Sequence, residues 1–143
     1  MKIKFKLLIV LSLIISTSSY AKDNYFDEAK KLFIKEKYDE SKFLFQRDIV
    51  FNPKNSHAYY YLAKIFEIEK NENEAEKNLN TALLLEPGNE QALYMLIDIK
   101  LNKSDFSKVK ELSDDFQIIC SSLCDKMDFI NERLKDYQEQ NQS

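Results

Sequence analysis

Glycine, proline, histidine and tryptophan are scarce in this 143-residue chain. It has one glycine (Gly88), two prolines (Pro53, Pro87), one histidine (His57) and no tryptophan. Each shortage excludes something. Rossmann folds and phosphate loops need several glycines, because backbone must approach phosphate closely. A single histidine leaves no His-based metal cluster and no ordinary Ser-His-Asp arrangement. No catalytic, metal or cofactor-binding set can be assembled from what remains, and the chain is expected not to be an enzyme. Few helix breakers among abundant Leu, Lys, Glu, Ala and Ile favour an all-α fold, and the length suits one domain.

The first twenty-one residues have their own organisation. Lys2, Lys4 and Lys6 form a basic start, Leu7 to Ile15 is apolar except for Ser12, and Ser19-Tyr20-Ala21 fits a small-x-small cleavage site. This order predicts a secretory signal peptide over residues 1–21. The competing readings are an uncleaved anchor and a buried helix. The apolar run is shorter than the roughly 20 residues a membrane span takes, and no acid precedes Asp23. No cysteine lies near the cleavage site to carry a lipid. The mature chain is therefore expected outside the cytoplasm, in the periplasm if the source is Gram-negative, with no stable membrane span. Cleavage removes three lysines and no acids, moving the formal charge from −3 to −6. An acidic chain without a basic patch is a poor nucleic-acid binder, because phosphate neutralisation drives such binding. In an oxidising compartment, Cys120 and Cys124 become a candidate disulfide.

The remainder is periodic. Pro53 and Pro87 are 34 residues apart, as are Asn55 and Asn89. Tyr25, Tyr59 and Leu93 keep the same spacing, and so do Ala29, Ala63 and Ile97. Tyr59, Leu62 and Phe66 recur at i, i+3 and i+7, one apolar helix face. Ala63, Ala75 and Ala82 are small where two helices would approach closely. Pro87 is expected to stop a helix, Gly88 to permit the turn and Asn89 to cap the next helix. This pattern resembles the tetratricopeptide repeat, a helix–turn–helix unit. The resemblance implies a helical-hairpin solenoid with units at 22–55, 56–89 and 90–121. The middle unit matches best. The first departs at Glu28 and Asp48. The third has Lys100, Ser113 and Ser121 where the family has two aromatics and proline.

Residues 122–143 read as a capping helix and frayed tail. Leu123, Met127, Ile130, Leu134 and Tyr137 follow 4-3-4-3 spacing, and Ser122 with Asp125 looks like a capping box. Solenoids need such a terminal cover, although a short coiled-coil seam uses the same spacing.

Members of this family usually hold partners along a concave face built by the first helix of each unit. Carried over by repeat position, the groove residues are Phe26, Lys30 and Phe33, then His57, Tyr60, Lys64 and Glu67, then Tyr94, Asp98 and Leu101. The fifth position is aromatic in every unit, giving the ladder Phe26, Tyr60, Tyr94. Aromatic anchors are typical of protein interfaces, and packing between units is the competing role. The family's clamp for a chaperone's C-terminal carboxylate needs Lys and Asn where this chain has Phe26 and Lys30, so that clamp is absent. The expected function is an exported adaptor or scaffold binding a peptide or helix of an envelope protein, with no cofactor. The alternatives are a thiol metal or redox carrier using Cys120 and Cys124, and a self-assembling subunit. The oligomeric state is not fixed by the sequence.

Overall fold

A computed structural model describes residues 24–140; the predicted signal peptide lies outside them. Seven helices and no strands are found among the described residues. They are α1 (Tyr25–Ile34), α2 (Tyr38–Phe51), α3 (Ser56–Ile68), α4 (Glu72–Leu85), α5 (Glu90–Asn102), α6 (Phe106–Ile119) and α7 (Lys126–Gln140). The main contacts join helices consecutive in the chain. That is the pattern of a solenoid, in which each hairpin packs on its neighbours.

The hairpin turns repeat with the sequence period. Glu36, Lys70 and Ser104, again 34 apart, have φ of 58°, 58° and 56°. In the first turn Glu36 N–H donates to Phe33 O at 3.0 Å and Lys37 N–H to Leu32 O at 3.0 Å. The same two bonds recur at Lys70–Asn71 and Ser104–Asp105. These are Schellman closures, which satisfy the last carbonyls of a helix through one left-handed residue. Three of the following helices begin on a side-chain cap. Asn71 accepts from Glu74 N–H, Asn89 from Ala92 N–H and Asp105 from Lys108 N–H, at 3.3, 3.0 and 3.3 Å. Gly88 plays no special part: its φ is not positive, and a Cβ there would meet nothing within 4 Å. The left-handed turns fall instead on residues that are not glycine.

Alanines hold the close approaches. Ala29, Ala58, Ala63, Ala75, Ala82 and Ala92 are fully buried. Two clusters form the core. One, around Phe45, Leu62 and Ile65, joins the first and second hairpins. The other runs from Ala63 through Leu79, Leu96 and Phe116 to Ile130. The tail helix is thereby part of the core: Ile130 is fully buried, and Leu123, Met127 and Leu134 pack against the same cluster. Tyr137 stacks on Phe106 at 4.1 Å between ring centroids. The 4-3-4-3 stripe thus covers the open end of the solenoid.

Each departure from the repeat pattern has a polar partner or an open position. Glu28 is exposed. Asp48 is buried and accepts from Asn52 Nδ2 at 3.0 Å and Asn55 Nδ2 at 2.7 Å, tying down the loop into the second unit. Lys100 pairs with Glu76 at 2.5 Å, and Lys103 joins the same carboxylate at 3.0 Å. Ser113 donates to Lys110 O at 2.8 Å. Ser121 donates its N–H to Glu90 at 2.6 Å.

Another expectation fails. Ser122 does not cap the tail helix, which begins at Lys126. Its N–H and hydroxyl are taken by Glu90, which also accepts from Leu123 N–H at 3.4 Å. Glu90 is the first residue of α5, where the helix dipole favours a negative charge. The hydroxyl of Ser122 and the N–H groups of Ser121, Ser122 and Leu123 hold its carboxyl down to about 2. In a capping box the Ser122 N–H would go to the Asp125 carboxylate; Glu90 takes that N–H instead.

Candidate functional site

The first helices α1 and α3, with the start of α5, line a depression of about 260 Å³. Phe26, Lys30, His57, Tyr60 and Tyr61 form its walls, with Asn89 and Gln91 at one end. The helical period explains the gathering, because Phe26, Lys30 and Phe33 fall at i, i+4 and i+7 on α1, as Tyr60, Lys64 and Glu67 do on α3.

The ring at the centre is Tyr61, which the repeat positions did not single out. Its centroid lies 6.0 Å from Phe26, 5.2 Å from Phe33, 5.1 Å from Phe45 and 5.7 Å from Tyr60. The signal available in the sequence was the run Tyr59-Tyr60-Tyr61, whose third member faces the neighbouring helix. Two ammonium groups lie over these rings. Lys30 Nζ is 5.6 Å from Phe26 and 5.8 Å from Tyr61; Lys64 Nζ is 4.8 Å from Phe33 and 5.5 Å from Tyr61. Cation–π contact of this kind stabilises by roughly 0.5–2 kcal/mol.

Farther along, the sign reverses. Burial raises the carboxyl of Glu67, the charge of Asp98 adds to the rise, and Lys64 opposes it. Burial likewise raises the phenol of Tyr60, with Tyr61 and Glu67 contributing. Among the described residues, Lys30, Lys64, Glu67 and Asp98 form no salt bridge with one another or with any other group. His57 lies 4.0 Å from Glu86, which is held low chiefly by the hydroxyl of Ser56.

Not every expected groove residue is presented. Leu101 is 3% exposed and belongs to the core, so it offers no surface to a partner. It lies on the face of α5 that meets the rest of the solenoid, where a leucine is worth more buried than open. Tyr94 is half-buried and leans on Phe116 at 5.9 Å, sharing itself between packing and surface. Phe26, Phe33 and Tyr60 are also half-buried. The Sγ atoms of Cys120 and Cys124 are 2.12 Å apart, at disulfide distance, across the break between α6 and α7. Joined sulfurs offer no thiolate to a metal.

No protein-family model matches the sequence, and no curated protein does. Solved structures do match in shape. The Yersinia enterocolitica type III secretion translocator chaperone SycD superposes with a TM-score of 0.72 at 11% identity, over 93% of this chain and 94% of that one. The first tetratricopeptide domain of Spaghetti (RPAP3), bound to an HSP90 peptide, gives 0.67 at 17%, over 78% and 90%. The Sgt2 domain from Aspergillus fumigatus gives 0.70 at 14%, over 87% and 84%. With its repeated hairpins and Schellman turns, the chain has the tetratricopeptide-repeat fold.

Proposed function

We propose that this chain is an exported protein-interaction module, without enzymatic activity, that holds a segment of an envelope protein in the aromatic depression between α1 and α3. The observation that carries this reading is the gathering of Phe26, Phe33, Tyr60 and Tyr61 under two lysines. Half-buried aromatic rings are already ordered, so a partner can cover them at little cost in side-chain entropy. The neighbours fit: RPAP3's domain holds an HSP90 peptide, and SycD has been seen with a peptide of the translocator YopD. The sulfur pair between α6 and α7 suits an oxidising compartment, in keeping with the signal-like start at residues 1–21.

The test is crosslinking in intact cells, comparing the wild type with the Phe26→Ala/Tyr60→Ala variant. The variant should keep its helicity and lose at least about tenfold in capture of the wild-type partner, an effect of roughly 1.4 kcal/mol. Undiminished capture by the folded variant would remove the depression from the binding site. A variant that unfolds would assign these rings to packing.

A further inference from the structure

The second helices carry a stripe unrelated to the depression. Val50, Leu84 and Ile118 occupy the same repeat position, 34 residues apart, near the C-terminal ends of α2, α4 and α6. They are 76%, 81% and 81% exposed. Scattered apolar side chains on a surface need no explanation, but here an exposed aliphatic recurs at one repeat position in all three units. Leu84 and Ile118 also rim a depression of about 470 Å³ whose lining includes Leu93, Leu96 and Leu112, an apolar recess open to an inserted side chain.

The row one turn back on the same helix faces carries the information about the occupant. Three residues before each stripe position stand Arg47, Thr81 and Asp115. Their charges run positive, neutral, negative. Arg47 and Asp115 are exposed, and neither has an ion-pair partner among the described residues. Arg47 lies over the Tyr25 ring, at 4.6 Å. Such a row is self-complementary. If a two-fold axis passes through the middle unit, Arg47 of one copy meets Asp115 of the other, and the reverse pair forms by symmetry. The same operation lays Val50 against Ile118 and Leu84 against Leu84. Lys77, on the middle unit's second helix, is already paired with Glu74 at 3.5 Å. None of the groove residues lies on this face, so it can be covered while the depression is occupied.

We infer that the α2–α4–α6 face is the interface of an antiparallel homodimer, in which the aliphatic stripe is buried between copies and two Arg47–Asp115 pairs fix the direction. A partner of uniform charge would satisfy one end of the row and repel the other. A second copy satisfies both.

The experiment is sedimentation equilibrium of the mature chain over a wide concentration range, at low and high salt. Wild type should reach twice the monomer mass as concentration rises, with weaker association at high salt because surface pairs are screened. Leu84→Glu, at a position open to solvent and met twice at the axis, should keep its helicity and stay monomeric. Asp115→Arg should weaken the dimer, and Arg47→Asp/Asp115→Arg should restore it. Each of three results overturns the inference: a monomer at every concentration, a Leu84→Glu variant that still dimerises, or a double variant no better than Asp115→Arg. Binding of monomeric wild type to zwitterionic vesicles, lost in Leu84→Glu, would assign the stripe to lipid instead.

Discussion

The three left-handed turn residues give a stability prediction with an unusual sign. Glu36, Lys70 and Ser104 hold φ near 58°, where a side-chain Cβ crowds the following carbonyl. The cost for an L-residue is roughly 1–2 kcal/mol. All three are exposed, and among the described residues neither Glu36 nor Lys70 is in an ion pair, so their side chains return little. Glycine removes the clash and adds roughly 0.5–1 kcal/mol of backbone entropy to the unfolded chain. Each replacement by glycine should therefore stabilise by roughly 0.5–1 kcal/mol. The sites are a full repeat apart and share no partners, so the effects should add. The triple variant Glu36→Gly/Lys70→Gly/Ser104→Gly should gain roughly 1.5–3 kcal/mol, or about 6–12 °C in melting temperature at ~4 °C per kcal/mol. Thermal melts followed by circular dichroism read this directly. The triple Ala variant, which keeps the Cβ, is the control and should show no gain. A triple glycine variant melting at or below wild type would mean that the turns are not held in this conformation.

Four further outcomes are expected. Ala63→Leu should overpack the α3 close approach and cost roughly 1–3 kcal/mol in a denaturant melt; an unchanged midpoint would place Ala63 away from the contact. Asp48→Ala should destabilise by roughly 1–3 kcal/mol, since the amides of Asn52 and Asn55 lose their acceptor, although alanine occupies the equivalent position at Ala82; a gain would return Asp48 to accident. The Glu90 carboxyl is lowered in the folded state from 4.5 to about 2, so its contribution is present above pH 4.5 and is lost as pH falls toward 2. The stability difference between wild type and Glu90→Gln should shrink across that window in acid titrations, and a constant difference would detach Glu90 from the loop. Alkylation of the non-reduced native protein should label neither Cys120 nor Cys124, and reduction should cost at most roughly 2 kcal/mol because the closed loop is short.

What the sequence reveals and conceals follows from how local each cause is. The 34-residue period, the buried alanines and the cap at Asn89 are local signals, and all are legible in the chain. Phe26 and Tyr60 could be placed together because they share one repeat position, and Lys30 and Lys64 because they share another. Tyr61 could not, because its role depends on four rings from three helices. Leu101 misled for the same reason: its repeat position points to the groove, but its side chain is buried in the core cluster shared by several helices. The third unit's departures were visible, yet their partners were not. Lys100 was legible as the wrong residue for an aromatic position, but Glu76, which makes it tolerable, lies 24 residues away on another helix. Ser121 likewise depends on Glu90, 31 residues earlier. A buried or half-buried polar group is acceptable only when its partner is supplied. In this chain, polar partners accommodate Lys100 and Ser121, while the core of the last unit remains apolar from Leu93 through Phe116 to Ile130. Beside that core, Glu90 grips the Cys120–Cys124 loop. The capping helix that follows is positioned by that grip, and it completes the core which the missing aromatics leave open.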